Sequence, residues 1–170
     1  TVLEQIPKGR LWLYKLIALV VIPFLFFLLL EFSLRMIGVG YPTSAIIQQK
    51  VDGIEYIHDN PKFGYRYFSK KLTREFTPFR IPSEKQPNSY RVFVIGGSAA
   101  QGTPETAYSF SRILDAMLKH RYPSVRFEVI NMAMPAINSH VVLDIADGCL
   151  EYQPDVVVCY MGNNEVVGPY

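Results

Sequence analysis

YRVFVIGGSAAQG, residues 90–102, passes from a polar start through an apolar, β-branched run to two glycines, a serine and two alanines. Such a run reads as a buried strand that delivers Ser98 to its end among neighbours too small to cover it. Three explanations compete: a tight turn without chemistry, a phosphate-cradling loop, and a nucleophile held open to a substrate.

This stretch is the first of three. RVFVIG (91–96), FEVINM (127–132) and DVVVCYMG (155–162) read as strands. Between the first two, Phe110, Ile113, Leu114, Met117 and Leu118 repeat at the spacing of a one-faced helix, with Arg112, Asp115 and Lys119 opposite. Thr103, Pro104 and Glu105 read as its start, and His120 falls near its surface end. Val142, Ile145, Ala146, Cys149 and Leu150 form a second such stripe, capped by Asn138 or Ser139, with Asp144, Asp147 and Glu151 facing away. Strand, helix, strand, helix, strand predicts an α/β fold: a doubly wound parallel sheet with right-handed crossovers and strands buried on both faces. Cys149 and Cys159 fall at apolar positions and read as core residues rather than a disulfide or metal framework.

Open sheets of this kind bind ligands outside the carboxyl ends of their strands. Each predicted strand ends in a loop of small or amide residues: GGSAAQG, NMAMPAINS (131–139) and GNNE (162–165). No lysine follows the glycines at 96, 97 and 102, and neither phosphate-loop spacing is present. Ala100 excludes the G-x-S-x-G elbow. A plain turn leaves Asn163 and Asn164 unexplained, since an amide at the end of a buried strand is costly without a partner or a task.

Together the three loops resemble the blocks of the SGNH/GDSL hydrolase family, over Tyr90 to Tyr170. GGS resembles the family's G-D-S, with Gly97 in place of the acid, so the resemblance implies Ser98 as nucleophile. It implies Ala136, where the family usually has glycine, as a backbone N–H donor to the oxyanion hole, and Asn164 as the side-chain donor. Gly96, Gly97, Gly162 and Asn163 would shape the loops, and Glu165 stands where the family has aspartate. The family's base is a histidine in a D-x-x-H block, which this sequence lacks. His140 follows the second loop on a helix that should turn it away, and His58 lies far upstream, so the catalytic His–Asp pair is expected beyond Tyr170 or is absent. MGNNEVVGPY also resembles a membrane-anchored subset of the family, some fused to tetratricopeptide repeats.

The amino-terminal third has a different character. Leu16 to Leu30 (LIALVVIPFLFFLLL) contains no polar side chain, and with Leu11 to Lys15 it makes 20 residues, enough to cross a hydrocarbon core of roughly 30 Å. Lys8, Arg10 and Lys15 precede the run, and Glu31 and Arg35 follow it, favouring a cytoplasmic amino terminus and an outside domain, periplasmic or extracellular. The alternative, a cleavable signal with Gly38-Val39-Gly40 as cleavage site, is disfavoured by the charged EFSLRM between. The expected organisation is a cytoplasmic terminus (1–10), a transmembrane helix (11–36), a connecting collar (41–89) and the N-terminal part of the α/β domain (90–170), the C-terminal part missing.

In the collar, Pro61, Pro78, Pro82 and Pro87 exclude a long helix. FGYRYF (63–68) and LTREFTPF (72–79) are candidates for a small antiparallel pair, and His58 for a turn. Its basic residues, Lys62, Arg66, Lys70, Lys71, Arg74 and Arg80, are candidates for touching lipid headgroups or a partner protein. With 170 residues and a formal net charge of +2, the chain has neither the basic block nor a motif for nucleic-acid binding. Two functions stay open: a membrane-anchored serine esterase or O-acyltransferase acting on an ester of an envelope glycan or lipid, without metal or organic cofactor; and a catalytically inactive accessory subunit docking to a membrane complex.

Overall fold

A computed structural model describes residues 8–166. They form two units, which divide between Tyr41 and Pro42.

The first unit is one continuous helix: α1 (Lys8–Leu16), a π-helical stretch (Ile17–Val21) and α2 (Ile22–Met36). The wide turn lies just before Pro23, which has no N–H to give and whose ring crowds the carbonyl four residues back. Within Gly9–Met36 an 18-residue stretch reaches a mean hydropathy of 2.6 and none of it is buried, so the helix is long and apolar enough to cross a membrane. Gly38, at φ 72°, ends it: its N–H bonds the Arg35 carbonyl and that of Val39 bonds Leu34, the pairing of a Schellman cap.

In the second unit, β4 (Ser89–Gly96), β5 (Arg126–Asn131) and β6 (Val156–Tyr160) form a parallel sheet in the order β5-β4-β6. Asn131 lies opposite Val94, and Tyr160 opposite Gly96. Successive residues of β4 point to opposite faces. Phe93 and Ile95 pack with Val141, Val142, Ile145 and Cys149 of α5 (Ser139–Leu150). Val94 instead joins Ala100, Ala133 and Phe110, the first residue of α4 (Phe110–Arg121). The two crossover helices therefore cover opposite faces.

The expected two-sided burial holds for β4 alone. β6 is an edge strand on which Val156, Val157, Cys159 and Tyr160 are exposed, so Cys159 is not a core residue. α4 is also less covered than its stripe implies, with Ile113 and Met117 exposed. It starts later than Thr103: the Ser109 hydroxyl accepts from the Arg112 N–H, while Glu105 caps a separate 3-10 turn at Thr106–Tyr108. Asn138 caps α5 as anticipated.

Residues 42–89 are more than a collar. β1 (Ile46–Val51), β2 (Ile54–Asp59) and β3 (Arg80–Pro82) form an antiparallel sheet, its hairpin turned by Asp52-Gly53 with both residues at positive φ. The pairing expected of 63–68 with 72–79 does not form: Phe63–Arg66 is a 3-10 turn, 72–79 contains no strand, and His58 lies within β2. Ala45, Ile46, Ile57, Phe63 and Phe76 belong to the same core as Phe93 and Ile145. Asp144, expected to face away, accepts from the Tyr67 hydroxyl and pairs with Arg66 at 2.9 Å. Burial, followed by the bond to Asp144, pushes the Tyr67 hydroxyl up to about 12, so it stays a donor.

Candidate active site

Ser98 occupies the first position of a four-residue helix, α3 (Ser98–Gln101), directly after β4. Gly96 makes this possible. At φ 149° it holds a conformation few side chains adopt, and a Cβ there would run into the Tyr160 carbonyl oxygen and Ala100 Cβ. Without it, the turn carrying Ser98 could not lie against β6.

The turn is clamped from behind by Asn131, the last residue of β5. Its Nδ2 donates to the Ala100 carbonyl at 3.1 Å and to Ser111 Oγ at 2.8 Å, while its Oδ1 accepts from the Ala133 N–H at 3.1 Å. Gln101 adds a second tie, donating to the Glu75 carbonyl at 2.9 Å and accepting from the Thr103 hydroxyl at 3.0 Å. Neither role was legible from the sequence, because each depends on a partner 20 or more residues away.

Gly97, Ser98 and Ala99 share a small hollow with Tyr160, Met161, Gly162, Asn163 and Asn164; its volume is about 10 Å³, roughly the room one water-sized sphere needs. Ser98 and Asn164 are both half-buried. A methyl group added at Gly97 would sit 3.5 Å from Nδ2 of Asn164, so that amide lies over the backbone next to Ser98. The first and third loops thus meet at the carboxyl edge of the sheet.

Ala136 is not among the residues lining this hollow; it lies exposed on the neighbouring loop after β5. Its φ is 58°, in the left-handed region where an alanine is disfavoured by roughly 1–2 kcal/mol. The resemblance pointed to an alanine in a glycine's place, and the backbone at 136 is one that a glycine would suit.

Glu165 links the third loop to α5. Its Oε2 accepts from Ser139 Oγ at 2.7 Å and from the Ser139 N–H at 3.4 Å. Ser139 opens the helix, where the positive end of the dipole favours a carboxylate.

None of the three histidines lines the hollow. His58 lies in β2, and His120 and His140 are exposed on the last turn of α4 and the first of α5. Among the described residues, no group of three or more His, Cys, Asp or Glu side chains is arranged to hold a metal ion. A much larger cleft, about 660 Å³, lies at the opposite end of the parallel sheet, lined by residues such as Gln48, Lys50, Glu84, Glu151 and Gln153. It is open and far from the three loops, and size alone does not make it the seat of chemistry. Compared with known proteins, the chain matches no family model, no curated protein and no solved structure.

Proposed function

We propose that this chain carries the nucleophile and oxyanion donors of a membrane-anchored serine esterase or O-acyltransferase of the SGNH type, built on a flavodoxin-like doubly wound sheet. The observation that carries the proposal is the shared hollow: Ser98 from the end of β4 and Asn164 from beyond β6 line it together, with the small residues Gly97, Ala99 and Gly162 between them. Ser98 Oγ attacks the acyl carbon of an ester and its proton passes to a base. The tetrahedral oxygen is stabilised by the Ser98 N–H and the Asn164 amide; the Ala136 N–H is the further donor that the resemblance implies. Donors preorganised in this way act on the charge as it develops, and loss of one costs ~100-fold or more in rate. Collapse expels the alcohol, which takes up the proton; water or an acceptor hydroxyl then removes the acyl group from Ser98. The base belongs to a His–Asp pair supplied from outside residues 1–170.

The apolar helix would act as the anchor. Lys8, Arg10 and Lys15 before its apolar run Leu16–Leu30, with Glu31 and Arg35 after that run, favour a cytoplasmic amino terminus, and hence a periplasmic or extracellular site facing an acylated envelope glycan or lipid. A second function, an inactive accessory subunit, is favoured by one observation: among the described residues, no histidine or carboxylate lines the hollow.

Fluorophosphonate labelling of the full-length protein in detergent, with peptide mapping, separates the two. An adduct on Ser98, absent from a folded Ser98→Ala variant, supports the enzyme. Well-folded protein that takes no label supports the accessory subunit.

A further inference from the structure

We infer that Glu165 is a positioning residue that sets the Asn164 amide in the oxyanion hole by tying the third loop to the first turn of α5. The inference rests on the esterase reading above. Asn164 lies in the loop that leaves β6, an edge strand paired with β4 alone among the described residues, and the last paired residue, Tyr160, is four positions before it. Its sequence neighbour Glu165 supplies the missing restraint through the two hydrogen bonds from Ser139. Ser139 in turn stands on a helix whose inner face is fully packed, with Val141, Ile145 and Cys149 buried. The tether thus runs from a mobile kind of element, a loop, to a rigid one.

The charge has consequences as well. A carboxylate directed at the hollow would oppose the negative charge that forms on the substrate oxygen. Here it is directed at the amino end of a twelve-residue helix, where the dipole and the Ser139 N–H offset it. Asn138, which caps the same helix end through its side chain, keeps that end in place.

The test is turnover of p-nitrophenyl acetate and the rate of fluorophosphonate labelling at Ser98, for full-length wild type, Glu165→Ala, Glu165→Gln, Ser139→Ala and the Ser139→Ala/Glu165→Ala double variant. Glu165→Ala should lower kcat ~10-fold or more, up to the ~100-fold that loss of a whole donor brings, with KM within about twofold. Glu165→Gln, which still offers Ser139 an oxygen, should recover most of the loss. The double variant should be no slower than Glu165→Ala, because the two side chains act through one contact. Hydrogen exchange over residues 161–166 should rise in Glu165→Ala while the melting temperature stays close to wild type. A Glu165→Ala variant that labels as fast as a wild type labelled at Ser98 overturns the inference and leaves the esterase reading intact. A wild type unlabelled at Ser98 overturns the esterase reading itself. If Glu165→Ala fails to fold, equal rates for Ser139→Ala and wild type overturn the inference in its place.

Discussion

Nε of Arg91 lies 2.8 Å from Oε2 of Glu128, and both side chains are almost wholly buried. The two residues are register partners on β4 and β5. The same guanidinium donates to the carbonyls of Tyr152 at 2.9 Å, Pro82 at 3.0 Å and Ser83 at 3.2 Å. One side chain therefore joins the end of β3, two of the three strands of the parallel sheet and the segment leaving α5. Arg91→Met keeps much of the volume but leaves a buried carboxylate and three carbonyls without this donor. Breaking one side of such a pair costs ~3–5 kcal/mol. Urea unfolding should show that loss, and Arg91→Met/Glu128→Gln should be less destabilised than the sum of the single changes.

Ala136 offers the opposite sign. Its φ of 58° disfavours any residue with a Cβ, and glycine escapes that strain at the expense of ~0.5–1 kcal/mol of unfolded-state freedom. Ala136→Gly should leave stability unchanged or raise it by up to ~1 kcal/mol, whereas Ala136→Val, branched at Cβ, should lower it. Thermal unfolding reads both. Under the esterase reading, Ala136→Gly should also retain activity, since the N–H remains.

How much of this was legible in the sequence depended on the range of the forces involved. The run 91–96 and the stripe at Val142, Ile145 and Cys149 carry their own periodicity, so β4 and α5 were readable and their burial followed. Ser98 and Asn164 were readable as candidates because small residues and amides at strand ends are locally anomalous. In residues 42–89 the paired strands β1 and β2 flank the Asp52-Gly53 turn, a strong hairpin signal, whereas the segments 63–68 and 72–79 hold no strand. Exposure of β6 was not readable at all. Its valines look the same whether or not another element covers them, and only the strand order puts them at an edge.

Asp155 gives the fold a dependence on acid. Burial alone would raise its carboxyl, but the Lys85 ammonium at 2.6 Å and the Arg91 backbone N–H at 2.7 Å outweigh burial and hold it below the usual carboxylate range. A group whose pKa is depressed on folding stabilises the fold above its unfolded value, ~3.9, and that contribution is lost as pH falls from there through the folded value. Stability should therefore decline below about pH 4. Asp155→Asn should be less stable at neutral pH and should show a shallower decline in acid, as followed by urea midpoints across the range.

The two cysteines report on whether β6 is an edge in solution. Cys149 is buried in the main core, and burial pushes its thiol up to about 12. At mildly alkaline pH it is almost entirely protonated, and the thiol rather than the thiolate is the unreactive form. It is also shielded by Ile145, Val142 and Phe93, members of the same cluster. Cys159 lies exposed on β6, with Val157 and Tyr160 also open to solvent beside it. Peptide mapping after a thiol-disulfide reagent should therefore find Cys159 modified and Cys149 unmodified in the folded protein, and both modified in concentrated guanidinium. Cys149→Ser should leave the native reaction at Cys159 unchanged. If Cys159 does not react in the folded full-length protein, its face of β6 is covered there by another element or partner.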